Sequence, residues 1–236
     1  GANVELLKQI ASKLEEAILP YDVEVSKAIF KNSKIKTLLL SETNTLSSQQ
    51  VLQLVKWRKY KEIDLTGCTF PINEEILEAL ANNSDIEMLS LSGNLPSKGF
   101  EEFLKKTKVH ILCLENVLNL SVIHARLIAG NSSIRRLIVR NPLFTKEHLN
   151  EIASSVSIKE LKLYECSQIG NEEMVPLSRM KLLTSLFLSG FPKISIEGLT
   201  HFGNNPRIML INIYKCRPLP KDASKLFPFR LTTENM

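Results

Sequence analysis

The sequence predicts an α/β solenoid of eight strand-loop-helix repeats, with a parallel sheet on the concave side and helices on the convex side. Three observations carry that prediction. A hexapeptide of pattern apolar-x-x-apolar-x-apolar recurs as Ile35–Leu40, Tyr60–Leu65, Ile86–Leu91, Val109–Leu114, Ile134–Val139, Ile158–Leu163, Leu183–Leu188 and Ile208–Ile213, with final positions 23 to 26 residues apart. A period in the 20s marks one small unit copied end to end, each too small to bury its own apolar face. Behind each of the first seven hexapeptides comes an apolar residue and then two more, five and eight positions on, as in Ile72, Leu77 and Leu80; the last two form one stripe on a helix. From that stripe to the next hexapeptide the interval is always six residues, whereas the loop leaving each strand varies from four to seven.

Ahead of the repeats, Val4, Leu7, Ala11, Leu14 and Ile18 share one helical face. This predicts a helix over residues 3–19 that caps the apolar end of the stack. Asp22 can start a second helix carrying Ile29, itself six residues before Ile35, so residues 1–34 read as a helical N-terminal cap or degenerate repeat. Residues 35–219 hold the repeats. Alternation across each hexapeptide is the period-two signature of a short strand whose fourth and sixth residues face the core. Ser47, Asn73, Ser121, Thr145 and Ser195 directly follow the first loop apolar and Ser97 comes one place later, all suited to accept the orphan amides of a helix start. Glu74, Glu75, Glu172 and Glu173 place negative charge in first turns, where the helix dipole favours it. Pro176 falls inside the sixth helix and predicts a short, irregular or shifted segment there. After Ile213, Pro218, Pro220 and Pro228 argue against another regular repeat, and Leu226, Phe227 and Phe229 are expected to fold back as a C-terminal cap within residues 220–236.

The composition, 44% apolar and 23% charged, is that of a soluble folded protein. No stretch approaches the ~20 apolar residues of a membrane span, so membrane insertion is not expected. A formal charge of +5 invites a nucleic-acid reading, but the 30 Lys and Arg are diluted by 25 acids and no basic run reaches five. That argues against nucleic acid and leaves an anionic protein partner compatible. Cys68, Cys166 and Cys216 occupy one repeat position in different turns, too far apart to bridge, and Cys113 lies inside a strand. Free thiols and the absence of a visible signal peptide point to the cytoplasm. The opening Gly1-Ala2, rather than Met, reads as a cleaved-tag scar or an excised segment, so the true N-terminus is expected to lie elsewhere.

The pattern Leu161-Lys-Leu163-Tyr-Glu-Cys166-Ser-Gln-Ile169, echoed in Ile211-Asn-Ile213-Tyr-Lys-Cys216, resembles leucine-rich repeats, and most closely their cysteine-containing subfamily known from F-box proteins. The resemblance spans residues 35 to about 219 and implies a leucine-rich-repeat solenoid of horseshoe form. Thr43, Val117, Pro142 and Phe191 depart from it, standing where the pattern has Asn or Cys. Those turns are expected to lack the buried polar side chain that satisfies loop backbone groups.

Little in the chain is suited to catalysis. His124 and His148 are expected in the outer helical layer, as is His201, and His110 precedes a strand, so all four read as scattered surface histidines. Cys113 has Ser90 and Ile138 as lateral neighbours, neither of them a base. There is no phosphate-binding Gly loop and no Cys-x-x-Cys or His-x-x-x-His pair, so no metal site, cofactor or enzymatic activity is expected.

The outward strand residues do have character. Equivalent positions on strands roughly 5 Å apart form rows, acidic early at Glu62 and Asp64, basic at the middle, aromatic late. Aromatics and Arg dominate interface hot spots. The candidate partner-binding residues are therefore Tyr164, Phe187, Leu210 and Tyr214, flanked by Arg136, Arg140 and Lys162. A C-terminal tail folded over Phe187, Leu210 and Tyr214 would explain the same aromatics without a partner. The expected function is non-catalytic recognition of a partner protein through the concave sheet and its C-terminal loops. By resemblance, a second reading is the substrate-recognition part of a ubiquitin ligase. Third, the abundant Lys, Ile, Asn and Ser, the sparse Gly and the degenerate turns resemble repeat proteins that intracellular bacteria deliver into host cells, a resemblance that implies an effector acting in a host cell's cytoplasm.

Overall fold

The two inward anchors of every hexapeptide, from Leu38 and Leu40 to Ile211 and Ile213, are buried with at most 2% of their surface exposed. Burying a Leu or Ile side chain contributes about 1.5–3 kcal/mol, so this repeated pair is what commits each hexapeptide to a strand. The structure, a computed structural model, describes residues 16–18, 36–40, 46–57, 59–141, 143–220 and 222–234. It divides into two compact units, Gly1–Val109 and His110–Met236.

In the first unit, strands β1 (Glu16–Ile18), β2 (Thr37–Leu39), β3 (Glu62–Leu65) and β4 (Met88–Gly93) pair in parallel, each with the next in the chain. Helices α1 (Ser48–Trp57), α2 (Glu74–Ala81) and α3 (Ser97–Lys106) make the returns. In the second, β5 (Ile111–Val117), β6 (Arg136–Arg140), β7 (Glu160–Tyr164), β8 (Ser185–Ser189), β9 (Leu210–Tyr214) and β10 (Arg230–Glu234) pair likewise. Their helices are α4 (Val122–Gly130), α5 (Lys146–Ala153), α6 (Asn171–Ser178) and α7 (Ile196–Thr200), the last running into a 3-10 turn at His201–Asn204.

In four of the seven turns the six-residue interval has a side-chain cause. Three places after the last helix apolar stands Asn83, Asn131, Ser155 or Asn205, whose oxygen accepts amides of the turn, whereas Trp57, Lys106 and Met180 stand there in the other three. Asn131 Oδ1 takes the amides of Ser133 and Ile134, and Ser155 Oγ those of Ser157 and Ile158. Asn83 and Asn205 do the same for Asp85 and Arg207. Such a turn closes at one length because the side chain mimics a backbone turn. The variable loops share a different device. The second residue after the final anchor is left-handed at Gly67, Gly93, Asn116, Glu165, Gly190 and Lys215. Glu165 (φ 58) and Lys215 (φ 47) hold that conformation without glycine, at a cost of about 1 kcal/mol each.

Four expectations need correction. Residues 3–15 lie outside the described residues, but Glu16–Ile18, expected to end a helix, is a strand hydrogen-bonded to β2. Pairing with an open sheet edge outcompetes helix propensity there. Helix α6 is as long as α2 and α5 despite Pro176; the proline removes one amide from the sixth position and leaves Met174 and Leu177 buried. The segment after Ile213 adds a strand rather than folding back: Ala223–Leu226 forms a 3-10 turn in place of a helix and β10 pairs with β9, Leu231 opposite Ile211. Its prolines fall outside the strand, so no ladder donor is missing. Phe229 is buried and stacked on Phe227 at 4.8 Å, while Leu226 stays 65% exposed.

The fourth correction concerns the histidines. His124 and His148 are buried, not surface residues. Each stands at the third helical position, and its Nδ1 accepts the N-cap amide, of Ser121 at 3.1 Å and of Thr145 at 3.2 Å. That is the part Glu or Gln usually plays in a capping box. Because a backbone amide can only donate and a carbonyl only accept, His148 carries its proton on Nε2, which donates to the Leu120 carbonyl at 2.9 Å. His110 and His201 are exposed, as expected.

Candidate functional site

All seven candidate partner-binding residues fall in the second unit, and strand register arranges them. Three rows cross the outward sheet face. Arg136 stands opposite Glu160, Ser185 and Leu210 in the first, and Ile138 opposite Lys162, Phe187 and Asn212 in the second. Glu115, Arg140, Tyr164, Ser189 and Tyr214 make the third. Phe187 projects between Ser185 and Ser189 of its own strand, both too short to cover its ring.

The structure brings Arg140, Tyr164 and Phe187 into one contact series. The Tyr164 and Phe187 rings lie 5.0 Å apart, tilted by 39°, and the Arg140 guanidinium sits 4.9 Å over the Tyr164 ring. Tyr214, on the next strand, has the Lys215 ammonium 5.2 Å above its ring. Arg136, Arg140, Lys162, Tyr164, Phe187, Leu210 and Tyr214 are all partly exposed. Since β10 extends the sheet sideways, the C-terminal segment does not lie over Phe187 as a lid.

The expected basic middle is not a free positive patch. Arg136 is ion-paired with Glu160, whose other oxygen lies 3.2 Å from Lys162 Nζ. Arg140 reaches Glu115 at 3.6 Å and Glu165 at 3.5 Å. Three cations thus meet three carboxylates and the local charge balances. Pairs this exposed contribute little to stability, but they hold the guanidiniums in place, so fewer rotamers are lost on binding. Glu160, Glu115 and Glu165 are the residues that the sequence reading did not assign to the site. Their signal was present for the first two, as opposite charges directly across parallel strands.

Behind the loops, thiols cap backbone carbonyls. Cys68 Sγ donates to the Leu40 carbonyl at 2.8 Å, and Cys216 Sγ lies 3.3 Å from the Tyr214 carbonyl while accepting the Phe191 amide at 3.4 Å. Burial pushes the Cys166 thiol up to about 12 and raises Cys216 in the same direction. These are structural thiols, poor nucleophiles at neutral pH. Phe191 and Val117 are buried where the repeat pattern has Asn or Cys, yet contrary to expectation their loops are not left unsatisfied. The next repeat supplies the group: Cys216 serves Phe191, and Asn141 Nδ2 donates to the Val117 carbonyl at 2.7 Å. Thr43 and Pro142 lie outside the described residues. On the outward face Cys113 has Ile138 as its register partner, which offers no base. The face can stack, donate and accept hydrogen bonds.

Parallel strands in chain order, helical returns and a Cys or Asn ladder in the loops define a leucine-rich-repeat solenoid. No family model matches the chain, and no curated protein matches it. Solved structures do. The chain is similar to one in a complex of yeast Rad7 with Elc1, at 15% identity over 99% of this chain and a TM-score of 0.59. It is also similar to internalin C2 of Listeria monocytogenes, at 16% identity over 98% of this chain and 92% of that one, TM-score 0.51. A third is a TLR13 complex with single-stranded RNA, at 15% identity over 85% of this chain, TM-score 0.51. The chain spans 64% of the matched Rad7–Elc1 chain and 36% of the TLR13 one. At these identities the likeness is one of fold. Among the described residues no helix is long and apolar enough to cross a membrane.

Proposed function

We propose that the chain is a non-catalytic protein-recognition module whose binding surface is the outward sheet face of the second unit. Tyr164 and Phe187 form its centre, Tyr214 and Leu210 one flank, and Arg136, Arg140 and Lys162 the other. The observation that carries this reading is Phe187: a Phe ring between two serines on an open sheet face, tilted against a tyrosine that an arginine buttresses, contributes nothing to the core. Aromatic and Arg anchors with their rotamers already held are what concentrated interface energy requires. The balanced charges suit a partner with an apolar or aromatic projection ringed by polar groups better than a polyphosphate backbone, which rewards unpaired cations.

Affinity capture from lysate, followed by mass spectrometry, tests this when wild type is run beside Phe187→Ala and Tyr214→Ala. A partner retained by wild type and lost from both variants, with unchanged thermal unfolding, supports the reading. Equal capture by all three proteins defeats it.

A second proposal, the substrate-recognition subunit of a ubiquitin ligase, draws on the similarity over almost the whole chain to a component of a two-protein complex. Copurification of a ligase adaptor would support it, and capture that never includes one would count against it. That a host cell's cytoplasm is where the protein acts is a further proposal, which expression in such cells and fractionation would test.

A further inference from the structure

We propose that the edge of the second unit where helices return to strands docks on an anionic lipid bilayer. This surface is separate from the aromatic face and does not depend on the function proposed for it. The turns at residues 130–135, 154–159, 179–184 and 203–209 hold five cations, Arg135, Lys159, Arg179, Lys181 and Arg207, and neither an acid nor an aromatic residue. The sequence scatters them at the repeat period, so no basic run appears. The fold lines them up. The Lys159 amide donates to the Arg135 carbonyl, Thr184 to Lys159, Met209 to Thr184 and Arg230 to Met209, at 2.8 to 3.0 Å, which stacks these positions side by side along one edge.

All five cations, and Arg230 beside them, are exposed, and among the described residues none has an ion-pair partner. The sheet face, by contrast, balances its charges. The same edge also carries large apolar side chains with no packing role: Val156 is 59% exposed, Met209 70% and Leu226 65%. Between α6 and the 3-10 turn a cavity of about 780 Å³ opens, lined by Arg179, Lys181, His201 and Arg207 with no carboxylate.

Unpaired cations interleaved with single protruding aliphatics are what an anionic membrane surface selects, since cations meet headgroup phosphates and carboxylates while aliphatics enter the acyl boundary. The cavity suits one headgroup. Single-stranded nucleic acid would call for stacking aromatics among the cations, and these turns have none. Lipid contact here is peripheral and requires no spanning helix.

The test is co-sedimentation of the full chain with vesicles of phosphatidylcholine alone and with about 30 mol% phosphatidylserine. Binding to the anionic vesicles only, weakening as salt rises, is expected. Arg179→Glu and Arg207→Glu should each lower partitioning about five-fold or more, and Met209→Glu should do likewise, whereas Lys146→Glu on α5 should leave it unchanged. No sedimentation with anionic vesicles, or binding indifferent to all three edge variants, overturns the proposal. So does capture of polyuridylate RNA or polyglutamate through these residues without vesicle binding, which would assign the edge to a soluble polyanion.

Discussion

The Asn141 side chain joins two repeats: its Nδ2 donates to the Val117 carbonyl at 2.7 Å, and its Oδ1 accepts the Leu143 amide at 2.9 Å. It stands two places after the anchor Val139, where the other described loops have a left-handed residue. The fifth repeat has dropped that residue, and its loop is five residues long against six in the repeats on either side. The ladder position has moved forward by one rather than being lost to Pro142. Asn141→Ala would strand a buried carbonyl and a turn amide, and we expect it to cost about 1–3 kcal/mol, read as a lower urea midpoint at unchanged slope.

Glu165 and Lys215 fill the left-handed position that glycine takes at Gly67, Gly93 and Gly190. Lys215→Gly is expected to stabilise by about 0.5–1 kcal/mol, relief of backbone strain outweighing the greater freedom of the unfolded chain. The reverse change at the equivalent position, Gly190→Lys, should destabilise. Thermal unfolding of the two variants measures both signs.

His148→Ala removes an N-cap acceptor and the donor to the Leu120 carbonyl, and should destabilise by about 1–3 kcal/mol. His148→Gln retains the capping acceptor and should recover part of the loss in chemical denaturation. No recovery would mean that the imidazole acts through its packing against Phe144, 5.2 Å away between ring centres.

Cys166 predicts an alkaline limit. An unfolded chain releases this thiol proton near the ordinary cysteine value, while the folded chain keeps it until about 12. Between those values the folded state binds the extra proton, so stability is full below pH 9 and falls as pH rises, by up to about 1.4 kcal/mol per unit from this group. Cys216 adds to the fall with the same sign. Cys166→Ala should flatten the slope of unfolding free energy between pH 9 and 11 relative to wild type.

The repeat, its strands and its helices were legible because anchors such as Leu161 and Leu163 recur with the period of one structural unit. The fixed six-residue interval was legible as a number but not as the Asn131 or Ser155 turn behind it, since a side-chain acceptor leaves no periodic apolar trace. His124 and His148 were misplaced because a polar residue on a helix is read as solvent-facing, whereas the third position of a capped helix points back at the turn. For the candidate site, which residues face outward was legible from alternation, and so were the rows. The neutralisation of Arg136 by Glu160 was not anticipated, because the cations were weighed along the chain instead of across neighbouring strands. The cationic edge shows the same blindness in reverse.

Arg136→Ala should weaken partner capture less than Phe187→Ala, because a guanidinium already paired with Glu160 has less to offer a partner. Arg140→Ala should cost more than Arg136→Ala, since it also removes the support of the Tyr164 ring. Competition of each variant against labelled wild type for the captured partner would rank them.

The central claim is that Tyr164, Phe187 and Tyr214 form one binding surface. Its most direct measurement is calorimetric titration of the captured partner into wild type and into the three single alanine variants. Losses of about 2 kcal/mol, roughly 30-fold in Kd, at Phe187 and at least one tyrosine, with unfolding curves unchanged, are predicted. Affinities within two-fold of wild type for all three would contradict the account and place the partner elsewhere on the chain.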